Sequence, residues 1–334
     1  MIDDVLSVLH VTYAQNFIIW VSYYIAILGS SIVGSILSNK ISRLNFLYLW
    51  IISGVITSSL PALLKNLTAV HALIIGILFG VSFGLGMPSC LAYFADCTLI
   101  ENRGLISGII FSITNLSAPL FAILFGMFNL IINSIIFAVW RASGLIILFL
   151  NPREKIALEM KKNISFKSVL HHKSFILYFI AWFMFLFIDR LERPVLESIF
   201  GDFYYLMMAP VIGSLSVFIA GLLSDRIGRK RMILYGFVSL GIAYAVIGIA
   251  PVRLFSWYFF LTIESISWGI LWVIFILILW GDLSQYGVRE KYYVIGEAPF
   301  FLTNIVGLIS APYVTLIPET SAFSLASFFL FLAV

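Results

Sequence analysis

The sequence is poor in charge and almost free of cysteine. Charged residues make up 11% of its 334 residues, whereas soluble proteins average about 25%, so a soluble globular protein is excluded. The two cysteines, Cys90 and Cys97, lie on one apolar segment without a ligand-like histidine nearby. We expect them to be packing residues, with neither a zinc site nor a disulfide framework. The first basic residue is Lys40, and since a secretory signal begins with a basic region, we expect no cleavable signal.

Long apolar runs dominate what is present. Hydrophobic residues make up 62% of the chain, against roughly 45–50% in soluble domains. Several runs reach the 20 residues or so that are needed to cross about 30 Å of hydrocarbon. They are continuous rather than alternating, which disfavours a transmembrane barrel. We therefore predict an all-α polytopic membrane protein with about 11 transmembrane helices.

Proline, glycine, asparagine and charged residues divide the runs into separate spans. The five spans of the first half are 17–37, 45–64, 70–95, 104–128 and 131–150. The six of the second half are 174–193, 203–223, 232–250, 255–281, 292–313 and a short one at 321–334. We predict an N-terminal bundle at 1–150, a cytoplasmic linker at 151–173 that lies on the membrane surface, and a C-terminal bundle at 174–334.

Basic residues are distributed unevenly between the two faces that these spans define. Alternating the connections puts 15 of the 20 basic residues on one face, which the positive-inside rule assigns to the cytoplasm. The other five are Lys65, Arg141, Arg190, Arg193 and Arg253. The formal charge of +4 therefore reflects membrane topology, and we expect contact with membrane lipid and no nucleic-acid partner.

An internal repeat relates the two halves. The segment LSNKISR, which begins at Leu37, returns as LSDRIGR 186 residues later. The same offset relates Asp96 to Asp282 and Arg103 to Arg289. Because three separated features share one register, we predict two homologous halves in parallel orientation, an arrangement associated with transporters whose substrate site lies near the membrane midplane.

The second copy of the repeated segment belongs to the loop GLLSDRIGRKR, residues 221–231. Its turn needs a backbone-permissive residue, which Gly228 supplies, and Asp225 can pair with a neighbouring cation. The loop resembles the signature between the second and third helices of each half in the major facilitator superfamily. That resemblance implies a cytoplasmic latch between the halves, formed here by Gly221, Asp225, Arg226, Gly228, Arg229 and Lys230.

The first copy departs from the family pattern. It retains Lys40 and Arg43, but it has Asn39 in place of the acid, Ser35 in place of the leading glycine and Ser42 in place of the second glycine. Since asparagine cannot form an ion pair, we expect a first-half latch to be weaker.

Two acid-to-arginine spacings complete the resemblance. Asp96 precedes Arg103 and Asp282 precedes Arg289, each across a short cytoplasmic connection, as in many family members. We expect these residues to form a charge network with the two loops. Exposed lone pairs contribute about 0–1 kcal/mol, but a set can bias a two-state equilibrium whose gap is a few kcal/mol.

The start of the chain does not fit the family's first helix. Residues 1–16 contain Asp3, Asp4, His10 and Gln15, so no span is expected there and the first family helix is expected to be missing. Two hypotheses follow. The protein is either an alternating-access transporter in the cell membrane that moves a small solute, with protons as a second partner, or a non-transporting sensor or scaffold derived from a truncated transporter.

Glu264 is the most informative single residue. It lies about ten residues into the span 255–281, roughly 15 Å deep. A carboxylate there is costly unless it is protonated or paired, and such residues usually mark an ion or proton pathway. The resemblance places this helix at the family's cavity. Glu264 is therefore either a proton or substrate site or a protonated residue in a structural hydrogen bond.

Three further residues are candidates for the substrate site. Arg141 lies equally deep, where it either has a structural partner or contacts an anionic substrate. Trp268 and Tyr93 could stack on an organic substrate, although core or lipid-facing roles are common for aromatic residues in so aromatic a chain.

Four charged residues close the span 174–193. Asp189 and Arg193 are four residues apart, so they form either a self-satisfied, solvated helix end or, together with Arg190, an outer gate. Pro194 predicts a bend or break just beyond them.

An enzyme is not indicated. Catalysis within the membrane would need a cluster of nucleophile, base or metal ligands, whereas the histidines His10, His71, His171 and His172 lie near loops or span ends. We expect neither a catalytic site nor a cofactor.

Overall fold

A computed structural model describes residues 1–9, 11–38, 40–64, 67–149, 165–284, 288–314 and 319–333. Within these ranges, nine helical stretches are long and apolar enough to cross a membrane. Two shorter apolar helices, Leu130–Ile146 and Thr320–Leu332, lie where the remaining spans were predicted. The prediction of an all-α polytopic protein with about 11 transmembrane helices is confirmed. Asn39 and most of the predicted linker, 151–164, lie outside the described residues.

The chain divides into two compact units, and each draws on both sequence halves. The first unit comprises Met1–Cys97, Ala122–Ile164 and Gln285–Ile305. The second comprises Thr98–Phe121, Ser165–Ser284 and Val306–Val334. The predicted bundle boundaries at residues 150 and 174 stay a prediction.

The first unit is built around the packing of α2 on α4 and of α3 on α7. Its helices are α1 (Ile2–Leu9), α2 (Tyr13–Leu37), α3 (Arg43–Leu63), α4 (Ala69–Gly84), α5 (Met87–Cys97) and α7 (Leu130–Phe149), with the end of α6 (Arg103–Met127) and the start of α14 (Arg289–Val314). Glycine allows the approach of α4 to α2, because a Cβ at Gly80 would lie 2.5 Å from the carbonyl oxygen of Tyr23. Gly76, Gly80 and Gly84, four residues apart on α4, all face α2 in this way and form a packing face.

The short helix α1 belongs to the core of the first unit. Its residues Ile2, Val5 and Leu6 are buried against α2 and α4. The next helix, α2, begins with a capping box in which Thr12 and Gln15 bond to each other's backbone N–H groups. Gln15, one of the polar residues that argue against a span within residues 1–16, thus stabilises the first turn of the spanning helix α2.

The second unit consists mainly of second-half helices. They are α8 (Phe166–Val169), α9 (Lys173–Phe203), α10 (Ala209–Ile227), α11 (Arg229–Ile249), α12 (Leu254–Val273), α13 (Trp280–Leu283) and α15 (Glu319–Leu332). Helix α12 packs on α10 and α11, and α15 packs on α11. One π-helical turn, Tyr204–Met208, joins α9 directly to α10, and another, Ile274–Leu279, joins α12 to α13.

Two expectations about the end of the span 174–193 are wrong, namely a break at Pro194 and a solvated helix end. Helix α9 runs through Pro194 to Phe203, because a proline removes one backbone donor and a membrane helix can re-satisfy the freed carbonyl locally. Asp189 and Glu192 are 7% and 4% exposed, so they do not form a solvated helix end. They lie ten residues or more before the helix ends, where neighbouring helices cover them.

Candidate functional site

The signature loop is a tight junction between α10 and α11. Gly228 connects the two helices with φ of +95° and ψ of 147°, a conformation that side chains rarely adopt. The prediction that the turn needs a backbone-permissive residue at this position is confirmed. The neighbouring Arg226 and Lys230 are exposed, as is Lys40 in the first copy.

Asp225 caps the beginning of α6. Its two carboxylate oxygens accept hydrogen bonds from the backbone N–H groups of Gly104, at 3.0 Å, and Leu105, at 2.8 Å. Arg229 Nη1 lies 2.8 Å from the same carboxylate. A negative charge at a helix N-terminus satisfies unpaired donors and is favoured by the helix dipole. Sequence reasoning anticipated the cation and missed the cap, since no motif marks Gly104 as the partner.

Two arginines and a second acid extend this arrangement into the Asp225 cluster, which we define as Asp225, Arg229, Asp282 and Arg103. Arg229 Nε lies 3.0 Å from Asp282 Oδ2, and Arg103 Nη1 is paired with Asp282 Oδ1. Arg103 is 1% exposed and also donates to the side chain and carbonyl of Thr98. The cluster thus connects residues from both sequence halves.

A matching set, the Asp96 cluster, consists of Asp96, Arg43, Arg289 and Glu290 in the first unit. Asp96 is paired with Arg43 Nη1, and its Oδ1 lies 2.9 Å from Arg289 Nε. Arg43 Nη2 donates to Glu290 Oε1 at 2.7 Å. The structure thus brings the predicted residues together and adds Glu290, which sequence reasoning missed although it directly follows Arg289.

Gly221 brings two helices into close contact in the second unit. A Cβ at this position would overlap the carbonyl oxygen of Gly104 and lie 2.8 Å from Gly108 Cα. Helices α10 and α6 therefore touch through backbone atoms, which places Asp225 within reach of the first N–H groups of α6.

A second candidate site is a buried acidic cluster, defined as Asp189, Glu192 and Glu264. Glu264 is 4% exposed, and Tyr204 Oη donates to its Oε2 at 3.2 Å. The same hydroxyl lies 2.6 Å from Ser265 Oγ. Tyr204 belongs to the π-helical turn between α9 and α10, a feature that often occurs at functional sites.

The other two acids of this cluster lie on α9. Trp268 Nε1 donates to Asp189 Oδ1 at 2.7 Å, and Glu192 is hydrogen-bonded to Tyr244. Asp189 and Arg193 both act electrostatically on Glu264. Asp189, predicted at a helix end or outer gate, and Glu264, predicted near the midplane, therefore form one buried group with Glu192.

Arg141 lies apart from these acids, in the first unit. Its Nη1 donates to the carbonyl of Gly54 at 3.0 Å and contacts Ser58 Oγ at 3.3 Å and Ser82 Oγ at 3.2 Å. Its guanidinium carbon lies 5.5 Å from the ring centre of Phe137. These contacts match the structural alternative for Arg141, a half-buried cation satisfied by oxygens and aromatic rings.

The remaining predicted site residues are placed as follows. Tyr93 is half-buried on α5 in the first unit, whereas Trp268 and Glu264 are in the second. Arg190 Nη1 lies 3.9 Å from Asp189 Oδ2. Across the described ranges, no three His, Cys, Asp or Glu side chains are grouped so that they could hold a metal ion.

Comparison with models of protein families identifies the family of this chain. The model described as Major Facilitator Superfamily matches residues 2–280. The chain belongs to the major facilitator superfamily. Members of this superfamily are membrane transporters, so this is a multi-pass membrane protein of a transporter family. A search of curated proteins found no match.

Solved structures show the same fold for this superfamily member. The human organic anion transporter MFSD10 (TETRAN) has a TM-score of 0.71 at 15% identity, with 99% of this chain and 87% of that chain covered. The proton:xylose symporter XylE, bound to 6-bromo-6-deoxy-D-glucose, has a TM-score of 0.64 at 15% identity, with 99% and 89% covered.

Proposed function

We propose that this protein moves a small solute across the cell membrane by alternating access and couples that movement to protons through Glu264. The observation that carries the proposal is the buried acidic cluster. Three carboxylates on α9 and α12 are each at most 7% exposed, inside helices of membrane-spanning length. Family membership supports transport, and the cluster supports the coupling.

The chemistry of the acidic cluster suits reversible proton binding. A carboxylate inside the membrane is costly to ionise, and such residues usually mark an ion or proton pathway. Glu264 accepts a hydrogen bond from Tyr204 and is buried together with Asp189 and Glu192. A rearrangement that changes these contacts would therefore change how readily Glu264 holds a proton.

Glu264→Gln is expected to abolish proton-coupled flux and to spare solute exchange, because an amide keeps the hydrogen bond from Tyr204 but cannot release a proton. Proteoliposomes that contain the pH dye pyranine would be given gradients of D-xylose or p-aminohippurate, a sugar and an organic anion. The wild type should change the luminal pH and the variant should not, while isotope exchange continues in both. Glu101→Gln, at an exposed glutamate, is the matched control.

Unaltered luminal pH changes in Glu264→Gln would contradict the coupling role. A folded wild-type protein that shows no solute-dependent flux with either probe is the result expected of the competing proposal, a non-transporting sensor or scaffold.

We infer further that the Asp225 and Asp96 clusters act as latches on the side predicted to be cytoplasmic. Their support is that each joins the signature loop of one repeat to the start of a helix from the other repeat. A helix that separates from its capping carboxylate leaves backbone donors unsatisfied, so opening would be opposed while the cluster is intact.

Asp225→Asn is expected to open the second-unit latch, because an amide weakens both the cap and the pairing with Arg229. Ser107, which is fully buried one turn after Arg103, would be changed to cysteine in a protein whose Cys90 and Cys97 are serine. Labelling by a membrane-impermeant maleimide should become faster in Asp225→Asn. Arg231→Gln, which alters an exposed residue outside the latch, should leave the rate unchanged. An equal rate in Asp225→Asn and its parent would count against the latch.

A further inference from the structure

The two charge clusters differ in where one of their acids is placed. The 186-residue repeat makes Asp225 the counterpart of Asn39 and makes Gly104 the counterpart of Glu290. In the second repeat the acid is on the loop, and the second residue of the partner helix is Gly104. In the first repeat the loop has asparagine, and the partner helix carries the acid.

Glu290 makes a contact in the Asp96 cluster that corresponds to one made by Asp225. Asp225 pairs with Arg229 at 2.8 Å, and Glu290 pairs with Arg43 at 2.7 Å. Arg229 and Arg43 are counterparts in the repeat. Glu290 is 2% exposed, so its carboxylate is committed to this cluster rather than to solvent.

The exchange keeps the formal charge of both clusters balanced. The Asp225 cluster contains two acids and two arginines. The Asp96 cluster also contains two of each, but only because Glu290 is counted. Without it, Arg43 and Arg289 would share one carboxylate in a buried setting, and a buried charge without a partner is strongly destabilising.

The second repeat has no room for the same solution. A Cβ at Gly104 would overlap the Gly221 carbonyl and the Ser224 hydroxyl and would lie 2.6 Å from Asp225 Oδ1. A glutamate at the start of α6 is therefore sterically excluded while Asp225 caps that helix. The two repeats therefore place this acid at different positions.

We propose that Glu290 replaces the missing loop acid of the first repeat and holds its latch closed through Arg43. This rests on the proposed latch function and modifies the expectation that the first-half latch is weaker. Asn39 is the counterpart of Asp225 in the repeat. An acid introduced at position 39 would precede Arg43 by four residues, just as Asp225 precedes Arg229.

The test is a rescue experiment in the protein with Cys90 and Cys97 changed to serine. Ser89, buried on α5 seven residues before Asp96, becomes the cysteine reporter for a membrane-impermeant maleimide. Glu290→Gln should raise the labelling rate about tenfold, the effect of losing one charge-assisted hydrogen bond. Adding Asn39→Asp to Glu290→Gln should return the rate to that of the parent. Asn39→Gln, a neutral control, should not.

The possible outcomes distinguish failure of the role proposed for Glu290 from failure of the proposed latch function. If Glu290→Gln labels like its parent while Asp225→Asn opens the Ser107 reporter, the latch stands and the role of Glu290 is wrong. If both Asn39→Asp and Asn39→Gln restore the rate, charge is not the cause and the proposal also fails. If Glu290→Gln does not fold, recovery of a monodisperse protein by Asn39→Asp alone supports the exchange, and no recovery contradicts it.

Discussion

Arg103→Gln is expected to destabilise the protein by about 3–5 kcal/mol, the usual cost of removing one partner from a buried ion pair. Arg103 is 1% exposed and is paired with Asp282. Glutamine leaves that acid with Arg229 as its one remaining arginine among the described residues, and it loses the fork of donors that also reaches Thr98. Thermal unfolding of the detergent-solubilised protein, followed by circular dichroism, measures the loss.

The matched control for this experiment is Arg226→Gln, which removes the same charge from an exposed side chain. Surface charges contribute little, so its unfolding midpoint should stay near that of the wild type. Arg103→Lys should fall between the two, because an ammonium retains the charge but cannot form the planar fork. Equal midpoints for Arg103→Gln and Arg226→Gln would refute the structural importance of the pair.

Gly221→Ala is expected to cost about 1–3 kcal/mol, as overpacking generally does. The added methyl group would meet backbone atoms of Gly104 and Gly108, which cannot move aside as a flexible side chain can. The distance between α10 and α6 should increase, and Asp225 should lose its hydrogen bonds with the backbone N–H groups of the first turn of α6. The same unfolding measurement applies.

Gly29→Ala is the control for Gly221→Ala. Gly29 is inside α2 and has nothing within 4 Å of the position that a Cβ would take. Alanine favours a helix interior over glycine by about 1 kcal/mol, so this variant should be neutral or slightly stabilised. A Gly221→Ala protein as stable as Gly29→Ala would mean that the close helix contact is wrong.

Span positions are the part of the fold that sequence predicts best. Membrane helices must satisfy their own backbone hydrogen bonds and match the thickness of the bilayer, so an apolar run nearly defines an element. The predicted span 45–64, for example, corresponds to Arg43–Leu63. The predicted end of the span 174–193 is wrong because α9 continues to Phe203. A proline that follows four charged residues is typical of a helix terminus, but here it lies within the helix.

Contacts between distant segments are what the sequence could not provide. The family resemblance predicted one charge network of the loops with Asp282 and Arg103, but the carboxylate cap on α6 depends on how closely two glycines allow helices to approach. Glu290 was missed for a related reason. An internal repeat is visible where both copies keep the same type of residue, and here the acid has changed position between the copies.

The acidic cluster shows that a wrongly predicted helix end also leads to a wrong grouping of functional residues. The predicted span ends place Asp189 near the outer end of its helix and Glu264 near the midplane. With α9 extended to Phe203, Asp189 moves inward and meets Trp268.

The π-helical turn between α9 and α10 has a geometric consequence. It contains more residues per turn than an α-helix, and one residue corresponds to about 100° of helical rotation. Tyr204 begins this turn, α9 before it carries Asp189, and α10 after it ends near Asp225. The wide turn therefore determines the rotation about the helix axis that separates two faces. One is the face of α9 that carries the buried acids, and the other is the face of α10 that carries Asp225.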